Sequence, residues 1–353
     1  MNVPKLRFKE FNESYNIKEI NEITYNVASG KISKPVEDGN YNIYGSMGKI
    51  GTSNFYDYEG EKVLVARVGA NAGSVNKINE KCCISDNTLV LEPKDVLNDY
   101  LYYSLKHYNP QKLIFGSGQP LVTGGQLKKI KLGIPGEKEQ LKVANFLSLL
   151  DKKIELQTKK IEDLKLFTKK LETQYIFNKQ IEYSKKRIDD IFTVKAGGDI
   201  SKTNVSFVKT PQFCYPIYSN NLEMNGLYGY SDIYKINEES ITVTGRGDIG
   251  KAIKREGKYY PIVRLLVLIP KMDINLIYMQ EAINNLTLIQ ESTGVPQLTA
   301  PQISRYEIHF PPLYIQEKYG KMLYLLQEKT MKELRKIEVL KQLKKGLIQN
   351  MFV

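Results

Sequence analysis

Two stretches of the chain carry apolar residues at alternating spacings of three and four positions. The first stretch runs from Leu147 to Tyr175 and the second from Leu323 to Met351, with a few polar residues at this spacing and with Lys and Glu common on the other faces. This alternation is the heptad pattern of helices that pair along one apolar face. We therefore predict one long helix in each stretch. The residues expected to pair the helices are Leu147, Leu150, Ile154, Ile161, Leu164, Leu171, Leu323, Leu326, Ile337, Leu340 and Leu347.

The chain is an internal duplication. When Gly118 is placed on Gly294, an offset of 176 residues, the match runs without a gap from Ser117 to Phe177, whose copy is Val353. It includes SGQPLVTGGQLKKIKLGIP against TGVPQLTAPQISRYEIHFP, and KIEDLK against KIEVLK. Self-similarity at a fixed spacing indicates a repeated structural unit. Either heptad stretch alone would suit an ordinary core helix, but two in one register favour their pairing with each other.

The segment before each heptad stretch has the pattern of a small mixed domain. Short apolar runs bounded by Gly and Asn predict strands, as in KVLVARV and TLVLEP in the first copy and SITVTG and RLLVLIP in the second. The run DVLNDYLYYSLKHY has helical spacing. The predicted fold is α+β and pseudo-two-fold, with two similar mixed α/β domains joined by a pair of long antiparallel coiled-coil helices. Its parts are a first domain over 1–136, a first helix over 137–179, a second domain over 180–312 and a second helix over 313–353.

The connection between the two copies requires the antiparallel arrangement. The second domain resumes near Lys186, only a few residues after the first helix is expected to end. It must therefore lie at the far end of that helix, and the second helix must run back to pair with the first. At about 1.5 Å per residue, the paired rod is roughly 42 Å long. The rod would therefore hold the two domains roughly that distance apart.

The net charge indicates a polyanionic partner. The formal charge of +12 at pH 7 favours nucleic acid or an anionic membrane. No apolar run approaches the roughly 20 residues of a membrane-spanning helix, and the first residues lack the apolar core of a secretory signal. Three cysteines and two distant histidines fit neither a zinc spacing nor a disulfide framework. We therefore expect a cytoplasmic protein with reduced cysteines and no membrane contact.

Several segments together resemble a known family. These are PKLRF at Pro4, SGQP followed by QLKKIKLGIP, STGVPQLT followed by IHFPP, and the paired EQ or QE motifs that precede KIEDLK and KIEVLK. Their order resembles that of the specificity subunit of type I restriction–modification enzymes. The resemblance covers essentially the whole chain.

This resemblance implies a non-catalytic function in DNA recognition. In that family each globular part is a target recognition domain that reads one half of a split double-stranded DNA sequence. The helices form an antiparallel rod that sets the unread spacer and docks two methyltransferase subunits, and separate restriction and translocase subunits cut the DNA. The resemblance thus implies that this chain holds no cofactor and no metal. S-adenosylmethionine, ATP and magnesium would be bound only by the partner subunits.

A nucleotide-binding loop is the alternative function. GRGDIGK at Gly245 has the spacing of a P-loop and follows an apolar run, but Ala252 stands where Ser or Thr would bind magnesium. Its repeat mate, GANAGSV at Gly69, has no lysine after the second glycine. Two tight glycine turns, with Arg246 and Lys251 able to meet phosphate, explain both loops more simply.

No other segment has a catalytic pattern. The chain has no Asn/Asp-Pro-Pro-Tyr/Phe motif of amino-methyltransferases, and no glycine-rich S-adenosylmethionine loop. For base reading, the candidates are loop residues of the types that bond base edges, namely Arg or Lys to guanine and Asn or Gln to adenine. In the first copy they are Lys31, Lys34, Lys49, Arg67, Asn71 and Gln119. In the second copy they are Lys202, Asn220, Asn221, Asn225, Arg246, Lys251 and Arg264.

Overall fold

Both copies of the repeat adopt the same succession of strands and helices. The computed structural model describes residues 3–31, 34–45, 48–114, 120–176, 184–288 and 296–353. The chain divides into two compact units. Unit 1 comprises residues 1–159 and 335–353, and unit 2 comprises residues 160–334. Each long helix contributes residues to both units.

The elements of the first copy begin with a short strand and end with the first long helix. In order they are β1 (Asn16–Glu19), α1 (Ile20–Ile23), β2 (Thr24–Ser29), β3 (Tyr41–Gly45), β4 (Gly48–Ser53), β5 (Glu61–Ala66), β6 (Val75–Asn79), β7 (Cys82–Ile84), β8 (Thr88–Pro93), α2 (Asn98–Tyr108), α3 (Gly124–Lys128), β9 (Lys131–Ile134) and α4 (Glu137–Ile176).

The second copy repeats this order element by element. Its elements are β10 (Ser184–Arg187), α5 (Ile188–Ile191), β11 (Phe192–Ala196), β12 (Tyr215–Tyr218), β13 (Leu227–Ser231), β14 (Ser240–Val243), β15 (Ala252–Arg255), β16 (Tyr260–Pro261), β17 (Leu266–Pro270), α6 (Leu276–Asn284), α7 (Ala300–Ser304), β18 (Glu307–Phe310) and α8 (Leu313–Met351). The predicted duplication of an α+β domain and a long helix is confirmed.

The sheets of the two copies also have the same strand order. In the first copy the four-stranded antiparallel sheet has the order β2-β8-β5-β6, and its counterpart in the second copy is β11-β17-β14-β15. A three-stranded sheet, β4-β3-β7 or β13-β12-β16, contains one parallel pair in each copy. The first strand of each copy pairs with the strand that precedes the long helix. The central strands β8 and β17 are buried along most of their length, which explains why their sequences are continuous apolar runs.

A helix packs on each four-stranded sheet and forms the core. In unit 1, Tyr100 and Tyr103 of α2 are fully buried with the side chains of β5 and β8. In unit 2, Tyr278 and Met279 of α6 occupy the corresponding place, together with Phe192. In a chain without tryptophan, these large side chains bury much of the apolar area that stabilises each domain.

Four matched polar residues of the repeat have structural functions in this framework. Thr123 and Gln126 form a capping box at the start of α3, with the Thr123 N–H donating to Gln126 Oε1 at 2.8 Å. Thr299 and Gln302 make the same box at the start of α7, also at 2.8 Å. A capping box satisfies backbone donors that the first turn of a helix leaves free. These pairs therefore match between the copies because both copies need the same helix start.

The long helices run antiparallel within each unit. In unit 2, Lys160 of α4 donates to Glu333 of α8 at 2.9 Å, and the Glu333 side chain is almost fully buried. Further along α4, Thr168 lies in one groove with Gln327, so the α8 partner number falls as the α4 number rises. In unit 1, Lys344 of α8 forms an ion pair with Asp151 of α4. There the last residues of α8 pack with the first turns of α4 in the core.

The heptad positions lie on the inner faces of the helices. The buried ones are Leu147, Ile161, Leu171, Leu323, Ile337 and Met351, and the half-buried ones are Leu150, Ile154, Leu164, Leu326, Leu340 and Leu347. Two threonines at these positions, Thr168 and Thr330, satisfy their hydroxyls by donating to the carbonyls of Leu164 and Leu326. The three-four spacing therefore marks the face of each helix that is turned away from solvent.

Candidate nucleic-acid interface

Three loop segments of unit 2 are joined by the side chain of Asn220. Its Oδ1 accepts the N–H of Gly245 at 2.7 Å, and its Nδ2 donates to the carbonyl of Val263 at 2.6 Å. The carbonyl of Gly245 in turn accepts the N–H of Leu298 at 2.8 Å. Asn220 therefore links the loop after β12, the turn between β14 and β15 and the segment before β17.

Two arginines meet on one amide oxygen at this junction. Arg246 donates from Nε at 3.3 Å and from Nη2 at 3.1 Å to Oε1 of Gln297. Arg264 donates from Nη1 to the same oxygen at 3.2 Å. Among the described residues, no carboxylate lies within ion-pair distance of either guanidinium. The cluster therefore presents two positive charges whose only described side-chain partner is neutral.

Gly245 allows the two arginine-bearing segments to approach each other. A Cβ at this position would lie 2.8 Å from the Leu298 carbonyl oxygen and 3.1 Å from that of Arg264. Any larger residue would push the segments apart, which explains a glycine here without reference to a nucleotide.

Backbone strain is concentrated in the same loops. Val263 and Arg264 are consecutive residues with φ of 53° and 58°, and Met224 and Asn225 have φ of 48° and 56°. Positive φ is costly for a residue with a side chain, most of all for a β-branched one, and it persists only where surrounding contacts enforce it. The Asn220 bond to the Val263 carbonyl is one such contact.

Arg255 enforces the other strained segment. It is buried, its guanidinium lies 3.7 Å from the centre of the Tyr218 ring, and it donates to Thr242 Oγ1 at 2.9 Å and to the Asn225 carbonyl at 2.7 Å. Burial lowers the pKa of Arg255, but a guanidinium remains charged in proteins. A buried cation thus stacks on an aromatic ring and holds the loop that exposes Met224.

The corresponding junction of unit 1 has the same backbone but different side chains. The Arg67 carbonyl accepts the N–H of Val122 at 2.8 Å, as the Gly245 carbonyl accepts that of Leu298. The Arg67 N–H donates to the Asn87 carbonyl at 2.9 Å. Val68 then stands at the place of Arg246 and forms a bridge with Leu121, which stands at the place of Gln297. Unit 1 therefore has apolar residues where unit 2 has an arginine and its glutamine.

The predicted base readers of unit 1 lie in several places. Arg67 and Asn71 lie in the glycine turn between β5 and β6, and both are half-buried. Lys31 is highly exposed, with Nζ 3.6 Å from Asp57. Lys34 and Lys49 are exposed, the latter on β4. Gln119 lies outside the described residues.

The predicted base readers of unit 2 are more closely grouped. Asn220, Arg246 and Arg264 share the junction described above. Asn221 is exposed and its Oδ1 caps the turn at Glu223, while the Asn225 carbonyl is held by Arg255. Lys251 is exposed at the end of the turn between β14 and β15. Lys202 lines an adjacent cavity of about 490 Å³ with Phe207, Tyr228 and Val263.

Sequence reasoning missed Gln297, which organises the two arginines. It aligns with Leu121 in the repeat, so the comparison of the two copies showed only that they differ at this position. It also missed the exposed apolar residues of unit 2, of which Phe207 is 74% and Met224 76% exposed. No sequence pattern identified these residues, because exposure is decided by the tertiary fold.

The P-loop interpretation is wrong for structural reasons. The glycine turn after β14 leads directly into β15, and the two strands pair antiparallel from Val243–Ala252 to Ser240–Arg255. A P-loop instead places its backbone N–H groups at the start of a helix. Moreover, the N–H of Lys251 donates to Thr244 Oγ1 at 2.9 Å within the turn. The segment is the turn of a β-hairpin.

In the described part of the chain, no group of three or more His, Cys, Asp or Glu side chains is placed to hold a metal ion. Within the same described ranges, no helix is both long and apolar enough to cross a membrane.

Comparison with known proteins shows the family to which the chain belongs. The chain matches the family described as the type I restriction modification DNA specificity domain twice, over residues 9–166 and 180–342. These matches cover both copies of the repeat. The chain therefore belongs to this family of type I specificity subunits.

Individual relatives agree with this assignment, and a solved structure shares the fold. A Mycoplasma pneumoniae protein named as type I specificity subunit S.MpnORF507P is 27% identical over 319 residues, covering 88% of each chain. A second M. pneumoniae protein named in the same way, S.MpnORF89P, is 29% identical over 298 residues, covering 78% of this chain and 87% of that one. The crystal structure of the type I restriction–modification S subunit from M. genitalium matches with a TM-score of 0.78 at 16% identity, covering 99% of both chains. That match shows that the fold is shared.

Proposed function

We propose that this specificity subunit reads a bipartite double-stranded DNA site, one half with each unit. The observation that carries the proposal is a shared framework with different side chains at equivalent loop positions. Arg246, Gln297 and a strained Arg264 occupy the junction in unit 2, whereas Val68 and Leu121 occupy it in unit 1. One scaffold that presents two different surfaces is suited to read two different sequences.

The charge and the residue types at these loops support DNA as the ligand. The chain carries a formal charge of +12, and basic surfaces bind the phosphate backbone with little dependence on sequence. Arginine, asparagine and glutamine are the side chains whose paired donors and acceptors match base edges in the major groove. The loops of unit 2 bring all three types together.

We further propose that the chain catalyses no reaction and binds methyltransferase and restriction subunits in the cytoplasm. S-adenosylmethionine, ATP and magnesium would then be bound by those partners. Support for two methyltransferase partners comes from Leu149 and Leu325, which are repeat mates on α4 and α8. They are 68% and 56% exposed. Exposed leucines at matched positions of a repeat are suited to contact two copies of one partner.

The proposal is tested by mapping methylation. The chain is co-produced with the methyltransferase subunit of its own system in a host without other adenine methylation, and modified adenines are mapped genome-wide. We expect one motif with two specified halves and an unread spacer. A continuous motif, or methylation no higher than that of the methyltransferase alone, would contradict the proposal.

A domain exchange tests which unit reads which half. Residues 184–312 are replaced by the matching segment of a relative with a different motif. Only one half of the motif should change, and the other half serves as the internal control for folding and assembly. Simultaneous change of both halves would show that the units do not read independently.

A further inference from the structure

We propose that Arg246 and Arg264 are a guanine-reading pair and that Gln297 positions them. The half-site of unit 2 then contains a guanine that depends on this pair, while unit 1 reads without such a pair. This inference rests on the proposed function and specifies part of the sequence that unit 2 selects.

The first support is convergence from distant parts of the chain. Gln297 is 51 residues from Arg246 and 33 residues from Arg264, yet one oxygen of its amide accepts from both guanidinium groups at 3.1–3.3 Å. Gln297 is half-buried and Arg264 is exposed. The glutamine thus fixes the inner side of each guanidinium and leaves other donors of the fork available for a ligand.

The second support is that the backbone beside each of these residues is fixed. Asn220 bonds to Gly245 and to Val263, which precede the two arginines. The carbonyl of Gly245 bonds to Leu298, which follows Gln297. Preorganisation of this kind lowers the entropy lost when a flexible side chain is ordered on its ligand. A fixed backbone beside both arginines favours a ligand that depends on the orientation of the guanidinium groups. A contact made by positive charge alone does not require that orientation.

The third support concerns the chemistry of the ligand. A guanidinium donates two parallel hydrogen bonds, which match O6 and N7 of guanine in the major groove. A guanidinium can also pair with phosphate oxygens, but a phosphate contact carries no sequence information and gives no reason for the two units to differ at this junction. The ordering partner here is a neutral amide, which orients each arginine without neutralising it. These features together favour base reading over backbone contact.

The fourth support is that unit 1 has no equivalent of the pair. Val68 and Leu121 occupy the positions of Arg246 and Gln297, and Asn87 aligns with Arg264. Asparagine is the side chain suited to adenine rather than guanine. Arg67 also lies at this junction of unit 1, but at the place of Gly245, so the two units present different sets of side chains there.

The test uses the chain assembled with its methyltransferase subunits and a library of randomised duplex DNA. Methylated sequences are recovered for the unchanged chain and for Arg246→Gln, Arg264→Gln and Gln297→Met. In the unchanged chain we expect a guanine in the half read by unit 2. In each arginine variant, discrimination at that base pair should fall roughly 5- to 150-fold, while the half read by unit 1 stays the same. Gln297→Met should weaken discrimination at the same position.

The matched control is Lys251→Gln. Lys251 is an exposed cation of the same turn, and this proposal assigns it to phosphate contact rather than to base reading. The change therefore removes one positive charge without touching the pair. We expect weaker binding of all sequences and an unchanged motif. The slope of log affinity against log salt concentration should fall in magnitude by about one.

Each alternative outcome is decisive. If the arginine variants weaken all sequences equally and keep the motif, the arginines contact phosphate and the proposal is wrong. If an arginine variant loses all methylation, its thermal unfolding and complex formation are compared with those of Lys251→Gln. Loss of methylation with normal folding means that the arginine has a general role in binding, and loss with impaired folding means that its role is structural. Both results overturn the proposal. If the unchanged chain itself gives no bipartite motif, the proposed function fails instead.

Discussion

Gln140 connects the start of the first long helix to the start of α2. Its Nε2 donates to the carbonyl of Pro135 at 3.0 Å, and its Oε1 accepts the N–H of Leu97 at 2.9 Å. In unit 2, Gln316 makes the same two bonds, to the Pro311 carbonyl at 2.9 Å and from the Asn275 N–H at 3.1 Å. Both glutamines are buried, so each domain is attached to its long helix by a buried amide that bonds through both its nitrogen and its oxygen.

Removal of either amide should destabilise the domain that it holds. Gln140→Ala leaves the part-buried backbone donor at Leu97 without its acceptor, which costs about 1–3 kcal/mol. We expect a loss of that size in chemical denaturation followed by circular dichroism. Gln342→Ala is the control, because Gln342 is an exposed residue of α8. A loss below about 0.5 kcal/mol for Gln140→Ala, the size of an ordinary surface change, would contradict this role.

Replacement of a heptad residue by alanine should destabilise the protein far more than replacement of an exposed apolar residue of the same helix. Ile161 is 5% exposed and Leu166 is 54% exposed, both on α4 within unit 2. Ile161→Ala should cost about 2–5 kcal/mol, because it removes buried methylene groups and leaves a cavity. Leu166→Ala should change the free energy of unfolding by no more than about 0.5 kcal/mol. Equal losses at the two positions would mean that the heptad face does not pack the helix.

The raised pKa of Glu172 predicts that the stability of unit 2 depends on pH. Burial, with a smaller contribution from Glu281 and an opposing one from Lys169, raises the pKa of Glu172 from 4.5 to about 6. Because its pKa is raised in the folded state, Glu172 contributes to the stability of the fold when its carboxyl group is protonated. This contribution to the free energy of unfolding is fully present below about pH 4.5 and is lost as the pH rises through about 6.

Glu172→Gln should therefore make the protein more stable at neutral pH. The gain should be about 1 kcal/mol or less after solvent screening, and it should disappear near pH 4.5. Thermal unfolding between pH 4.5 and 8 measures it. Glu162→Gln, an exposed change on the same helix, is the control. A gain for Glu172→Gln that does not depend on pH would show that burial of the charge is not its cause.

Two glycines of α8 should respond in opposite directions to alanine. A Cβ at Gly346 meets nothing within 4 Å, so Gly346→Ala should stabilise the helix by about 0.5–1 kcal/mol. A Cβ at Gly320 would overlap Oδ1 of Asn275. That oxygen accepts the N–H of Tyr278 at 3.0 Å and caps α6.

Gly320→Ala should therefore displace the Asn275 side chain and remove the cap of α6, a loss of about 1 kcal/mol. This loss offsets the gain in helix propensity that alanine brings. We expect no net stabilisation, and a free energy of unfolding about 1 kcal/mol below that of Gly346→Ala. Parallel denaturation curves of the two variants provide the comparison. A gain at Gly320 equal to that at Gly346 would mean that the Asn275 cap moves aside freely.

Much of the fold could be predicted because it is encoded in local periods. The heptad spacing predicted α4 and α8, and the run before Tyr108 predicted α2. Thr123 and Gln126 matched their copies because a capping box is a local device of four residues. Patterns of this kind depend on neighbours within one or two turns of the chain, so a single sequence contains them in full.

The candidate site could be predicted only in part. Arg246, Asn220 and Arg264 were chosen by residue type alone, and the structure brings them to one junction through Gln297, which residue type did not single out. Gly245 was first compatible with a nucleotide loop, but the strand that follows it makes the segment a hairpin turn. Both outcomes depend on contacts between residues far apart in the chain.

The sequence by itself determined the duplication, the α+β character of each copy and the two heptad helices, because repetition and period are properties of the order of residues. Only the tertiary structure decided that Arg246 and Arg264 share Gln297 while Val68 faces Leu121 in the other copy. The reason is that strand pairing sets which distant loops meet, and the side chains at that meeting point are unrelated to any local pattern.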